Sequence, residues 1–191
     1  LLTGEEKVMV PGAPYLSSTV EMFNPDSQAE CIVLDESQML ADDQRGWAWM
    51  RVLAQAKAAR IEIIASPDAE KLISKILHKL GYAFEVMRHE RLQPLTVADK
   101  PWRIDRPEEH TIFVAFSRAG VLSLKTFFER RGWSVSAIYG NLPPEVKRKQ
   151  AERFLSGESK LCVATDAIGM GMNLPASKVC FTSLSKYDGT E

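Results

Sequence analysis

The sequence predicts an α/β protein of two parallel-sheet lobes, and three observations carry that prediction. Short apolar runs of strand length alternate with stretches that repeat at helical spacing, and this happens twice along the chain. The runs do not alternate apolar with polar, the pattern of parallel strands covered on both faces. Between Arg88 and His110 the rhythm breaks: Pro94, Pro101 and Pro107 stand among Asp, Lys, Arg and Glu, as at a boundary between domains.

Residues 1–16 mix Gly4, Pro11, Gly12 and Pro14 with the acidic pair Glu5-Glu6, so they read as loop with a strand over 7–10. Residues 17–23 are strand-like, and Asn24-Pro25-Asp26-Ser27 is a turn. Residues 31–34, Cys-Ile-Val-Leu, form a buried strand. The spacing of Trp49, Leu53 and Ala56 predicts a helix over 46–59, followed by a strand over 60–65. Ser66-Pro67-Asp68 supplies a cap, a first-position proline and a first-turn acid. Leu72, Ile73, Ile76, Leu77 and Leu80 make one apolar stripe of the helix that follows, which Gly81 ends; residues 82–87 read as a third strand.

The second half restarts the pattern. Residues 111–116 are a strand, Ser117 caps a helix carrying Val121, Leu124 and Phe128, and Gly132 closes it. A strand over 135–139 leads to Pro143-Pro144, which open a helix carrying Ala151, Phe154 and Leu155 and stopped at Gly157. Strands over 161–164 and 179–184 complete it.

Composition narrows the function classes. The 191 residues are 45% apolar and 26% charged with a net charge of −1, ordinary for a globular protein and without a global basic field. Any nucleic-acid contact is therefore a local groove of backbone amides and a few cations, or is completed by other parts. Cys31, Cys162 and Cys180 lie in apolar runs with no metal-ligand spacing, as buried thiols of a reducing compartment. His78, His89 and His110 are scattered, which argues against zinc. Apolar runs fall far short of the ~20 residues of a membrane span. The start at Leu1-Leu2-Thr3-Gly4 lacks an initiator Met, so a longer parent is expected and the absence of a targeting segment says nothing.

Two stretches carry chemistry. Asp35 and Glu36 emerge where the 31–34 strand ends, and the carboxyl edge of such a sheet is where ligands bind. In phosphate-loop nucleotide hydrolases an acid there holds Mg²⁺, and a neighbouring group positions the attacking water. In the second half, Ala164-Thr165-Asp166-Ala167-Ile168-Gly169-Met170-Gly171-Met172-Asn173 runs from a strand into a loop with two glycines. These let backbone approach a ligand, while the Thr165 hydroxyl and successive amides suit phosphate oxygens.

Together these stretches resemble a superfamily 2 helicase. Asp-Glu-Ser-Gln (35–38) is similar to motif II, Ala65-Ser66-Pro67 stands in the place of motif III, Phe116-Ser117-Arg118 is similar to motif IV, and the Thr165-Asp166 stretch to motif V. Leu2-Thr3-Gly4-Glu5-Glu6, Ser18-Thr19-Val20-Glu21-Met22, Arg45-Gly46-Trp47-Ala48-Trp49 and Ile138-Tyr139-Gly140-Asn141-Leu142-Pro143-Pro144 resemble the mitochondrial degradosome RNA helicases and their bacterial relatives. Ser37, where relatives usually carry an aliphatic residue, and the spelling of Ala65-Ser66-Pro67 depart from the pattern.

The resemblance implies two RecA-like lobes, both incomplete: the later part of the first over 1–95, a linker over 96–109 and most of the second over 110–191. It implies ATP and Mg²⁺ as cofactors. Asp35 holds the metal through water, Glu36 activates the attacking water, Gln38 couples the nucleotide to the second lobe, and Ser66 belongs to that relay. Gly169, Gly171 and Asn173 bind the nucleotide from the second lobe. Thr19, Ser117, Arg118, Thr165 and Asp166 contact the nucleic-acid backbone without reading sequence. The implied partner is single-stranded or partly duplex RNA, with DNA left open, a nuclease partner, and no membrane. The implied location is the bacterial cytoplasm, or the mitochondrial matrix in a eukaryote. A binding module that kept the lobes but lost catalysis is the alternative. Lys147, Arg148, Lys149 and Arg153 form a basic helix face given no site, and Trp47, Trp49 and Trp133 are read as core. Neither a Gly-x-x-x-x-Gly-Lys-Ser/Thr loop nor an arginine-rich Gln-x-x-Gly-Arg-x-Gly-Arg segment occurs in the 191 residues, so the chain alone is expected to hydrolyse ATP negligibly.

Overall fold

The computed structural model describes residues 1–4, 7–90, 94–169 and 171–186, so Glu5, Glu6 and Met170 of the quoted motifs lie outside it. The chain forms two units, Leu1–Leu92 and Gln93–Glu191. In the first, β1 (Gln28–Leu34) and β2 (Lys57–Ile63) pair in parallel, with Leu34 opposite Ile63. Helix α1 (Gly46–Gln55) makes the crossover, and α2 (Glu70–Leu80) follows a 3-10 turn at Pro67–Ala69. Trp49, Val52 and Leu53 of α1 and Ile73 and Leu77 of α2 bury against Leu34, with Ile32, Ile61 and Ile63 packed beside them. Gly81 stops α2 in the left-handed conformation its sequence predicts, with φ 76°.

The other face of β1 departs from expectation. Residues 31–34 read as doubly covered, yet Cys31 is exposed and Val33 is 61% exposed. Helices α1 and α2 pack on the Ile32/Leu34 side, and strand side chains alternate between faces, so Cys31 and Val33 point away from that core. Three further expectations are corrected. Residues 7–10 are not a strand, with Lys7 only in an isolated bridge to Leu2; the 17–23 segment is a 3-10 turn, Val20–Met22; and residues 82–87 are irregular. Helix α1 also ends at Gln55, so β2 starts before residue 60.

The second unit is a four-stranded parallel sheet in the order β4-β5-β3-β6: β3 is Thr111–Val114, β4 Val135–Ile138, β5 Leu161–Ala164 and β6 Lys178–Phe181. Phe113, Val135, Ala137, Leu161 and Val163 pack with Val121 and Phe128 of α3 (Arg118–Glu129). Ile112, Val114, Ile138, Cys162 and Ala164 pack with Phe154 of α4 (Pro144–Leu155). Strands β3, β4 and β5 are buried throughout and give alternate residues to two cores, which is why their sequences are largely apolar, whereas in β6 Val179 and Phe181 are exposed.

Candidate functional site

The first group of expected residues sits at the carboxyl end of β1. Asp35 is exposed; its Oδ1 accepts from the backbone N–H of Glu36 at 2.8 Å. Glu36 has φ 52° and ψ 37°, a left-handed conformation that costs a side-chain-bearing residue roughly 1–2 kcal/mol. The next residue holds it there. Ser37 is fully buried, its N–H donates to the Ile64 carbonyl at 2.9 Å, and its hydroxyl donates to the Leu34 carbonyl at 2.9 Å. The backbone N–H thus ties the turn to the end of β2, as any residue's would, and the serine hydroxyl adds a tie to β1 that an aliphatic side chain lacks.

Gln38 spans the group. Its amide Nε2 donates to Glu36 Oε2, and its Oε1 accepts from the backbone N–H of Ser66 at 3.3 Å. Carboxylate on one side and N–H on the other fix the amide's orientation. The Ser66 side chain makes no cap bond. Sequence reasoning assigned no role to Trp49, but its indole N–H donates to the Asp35 carbonyl at 2.8 Å. Of the tryptophans read as core, Trp49 is buried and Trp133 packs against the second unit's core, whereas Trp47 is 55% exposed. Gly46 lets α1 sit on the Ser37–Ala41 turn, because a Cβ there would lie 2.9 Å from the Leu40 carbonyl oxygen. Thr19 lies in the same unit, exposed, at the start of the Val20–Met22 turn, with its N–H donating to the Leu2 carbonyl at 3.0 Å.

In the second unit a cleft of about 420 Å³ opens at the carboxyl ends of β3, β4 and β5. It gathers Ser117, Arg118, Thr165 and Asp166, four of the five expected nucleic-acid residues. Ser117 Oγ accepts from the Gly120 N–H at 3.0 Å, and Thr165 Oγ1 from the Ala167 N–H at 3.4 Å, so each hydroxyl keeps its proton for an outside acceptor. Capping and ligand contact are therefore compatible at Ser117. Arg118 lies 5.5 Å from the centre of the Tyr139 ring. Tyr139, Gly140 and Asn141 line the cleft and were given no site role from sequence; the signal was their position after a strand end, as at Ser117 and Thr165. Asp166 pairs with Lys186 at 2.5 Å, which offsets the one carboxylate of the lining. Gly169, Gly171 and Asn173 lie further along, exposed and outside the lining, with Gly171 at φ 71°.

Residues 1–89 match the DEXQ-box helicase domain of Suv3, and residues 90–188 match the helicase conserved C-terminal domain. This chain belongs to the Suv3-type helicase family. Among its Suv3-type relatives, the mitochondrial ATP-dependent RNA helicase SUV3 homolog of Caenorhabditis elegans is 39% identical, over 97% of this chain and 27% of that protein. The mitochondrial DExH-box ATP-dependent RNA helicase DExH16 of Arabidopsis thaliana is 38% identical, over 100% of this chain and 34% of that protein. The chain thus spans about a quarter to a third of the length of the curated relatives it matches. The S. cerevisiae Dbp5 structure bound to RNA and ADP BeF3 superposes with a TM-score of 0.54 at 16% identity, over 84% of this chain and 46% of that one, a likeness of fold. The Suv3-type fold of two parallel α/β units is thereby RecA-like.

Proposed function

We propose that this chain is the part of an ATP-dependent RNA helicase that carries the hydrolytic acids and a single-strand contact. In the parent, ATP hydrolysis drives movement along a strand and unwinding. The observation that carries the reading is the Asp35–Gln38 turn, where two carboxylates stand at a strand's carboxyl end and a glutamine ties the second to the turn after β2. The names of the relatives, which are RNA helicases, support RNA over DNA and a mitochondrial setting.

Within the proposal, Glu36 accepts a proton from the attacking water, Gln38 holds the Glu36 carboxylate, and Gly169, Gly171 and Asn173 take the nucleotide. Ser117, Arg118 and Thr165 donate to strand phosphates; Thr19 and Asp166 touch the same backbone, with Lys186 keeping the Asp166 charge from repelling it. The residues fit Mg²⁺. Among the described residues no group of three His, Cys, Asp or Glu forms a metal cage, and Mg²⁺ in nucleotide sites takes one or two carboxylates, with water and phosphate completing its shell. Asp35 is that carboxylate, and the bound ion neutralises phosphate charge. Lobes at 1–95 and 110–191 with a 96–109 linker are part of the same reading, as is a nuclease partner for the parent.

The test is ATP hydrolysis by the full-length gene product with single-stranded RNA, with DNA, and with neither, beside Glu36→Gln. RNA-stimulated turnover lost on substitution supports the helicase. Unstimulated turnover, or none, returns the chain to a binding module.

A further inference from the structure

A chain of contacts in the first unit joins Thr19 to Asp35 through residues that the proposed function leaves without a role. Glu21 stands two residues after Thr19, and its Oε1 accepts from Arg45 Nη2 at 2.7 Å and Nε at 3.2 Å. That pair holds the Glu21 carboxyl below the usual carboxylate range. The Arg45 guanidinium lies 5.6 Å from the centre of the Trp49 ring, and the Trp49 indole N–H holds the Asp35 carbonyl. Val20 and Phe23, on either side of Glu21, pack against the core that contains Trp49, so the Val20–Met22 turn and α1 are joined by apolar contact as well as charge.

The end of this chain is a sensitive point. The carbonyl that Trp49 holds belongs to the peptide whose N–H donates to Asp35 Oδ1. Tilting that peptide plane redirects the Asp35 carboxylate and, through the left-handed Glu36, the second carboxylate too. We infer that Glu21, Arg45 and Trp49 are positioning residues through which a nucleic-acid strand seated at Thr19 sets the aim of Asp35 and Glu36, so that strand binding raises hydrolysis. The inference rests on the proposed helicase reading. A purely structural role is the competing account: for Arg45 and Glu21, with side chains 46% and 35% exposed, it predicts little, because a surface pair contributes little stability, and for the buried Trp49 it predicts a parallel fall of both rates.

The experiment uses the full-length protein and a polyuridine strand, measuring ATP turnover with and without the strand for wild type, Glu21→Gln, Arg45→Met, their double variant and Trp49→Phe. Glu21→Gln and Arg45→Met are each expected to keep strand-free turnover within about twofold and to lose roughly 3- to 10-fold in strand-stimulated kcat, with a smaller change in the strand concentration giving half-maximal stimulation, while Trp49→Phe, which frees the Asp35 carbonyl itself, is expected to lose strand stimulation altogether. The double variant is expected to lose no more than either single one, as for links of one chain. Full stimulation in the single variants overturns the inference, as does a parallel fall of both rates, or losses that multiply in the double variant. Wild type without stimulation overturns the helicase reading, and the relay with it.

Discussion

At the scale of single residues, the three cysteines of matching sequence context diverge, with Cys180 half-buried and the other two at the extremes. Cys31 is exposed on the open face of β1, whereas Cys162 is fully buried in β5, where burial pushes its thiol up to about 12. A maleimide reagent at pH 7.5 should modify Cys31 within minutes and leave Cys162 unmodified until urea unfolds the chain; mass spectrometry of digests reads both. Early labelling of Cys162 would mean that its core opens locally. The folded chain also keeps the Cys162 proton where the unfolded chain releases it. The corresponding stability is complete below the ordinary thiol value of 9.0 and is lost as pH rises towards about 12.

At the scale of elements, the seat of α1 on the Ser37–Ala41 turn decides how the acids are held. Gly46→Ala sets two effects against each other. Alanine gains about 1 kcal/mol over glycine in a helix interior and less at the first position, where Gly46 stands, but here its Cβ would meet two backbone carbonyls, at 2.9 and 3.0 Å, which cannot swing aside as a side chain would. The clash should win, with a net loss of about 1–3 kcal/mol in urea unfolding. A stabilised variant would show that the turn yields easily. The same comparison explains why a glycine precedes Trp47-Ala48-Trp49: α1 must come close enough for Trp49 to reach the Asp35 carbonyl.

At the scale of the whole molecule, the 191 residues contain the Asp35-Glu36 pair and the second-unit cleft but no Gly-x-x-x-x-Gly-Lys-Ser/Thr loop. The backbone amides of such a loop make most of the phosphate contacts, and an arginine finger is worth roughly 10³ to 10⁵ in rate. The isolated chain should therefore turn over ATP no faster than its Glu36→Gln variant, measured by phosphate release with and without RNA. A difference between the two would mean that the residues present suffice for hydrolysis. The two units have separate cores, each built on parallel strands with helices connecting them.

The sequence by itself determined the alternation of strand and helix, the break between the units, the helix ends at Gly81, Gly132 and Gly157, and the placing of Asp35 and Thr165 at strand ends. These are legible because they depend on local signals: apolar period, caps, and the backbone freedom of glycine at positive φ. Tertiary structure alone decided the rest. Whether an apolar run is covered on one face or two depends on which helices pack against it, so β3, β4 and β5 met the doubly buried reading and β1 and β6 did not. Residues 7–10, 17–23 and 82–87 have strand-like composition, but a strand exists only where a neighbour pairs its backbone. The gathering of Tyr139 and Asn141 with Ser117 and Thr165 comes from the sheet order β4-β5-β3, which brings distant strand ends side by side. Trp49 read as core and is core; that its indole N–H also fixes the Asp35 carbonyl depends on where α1 packs, which no spacing in the sequence records.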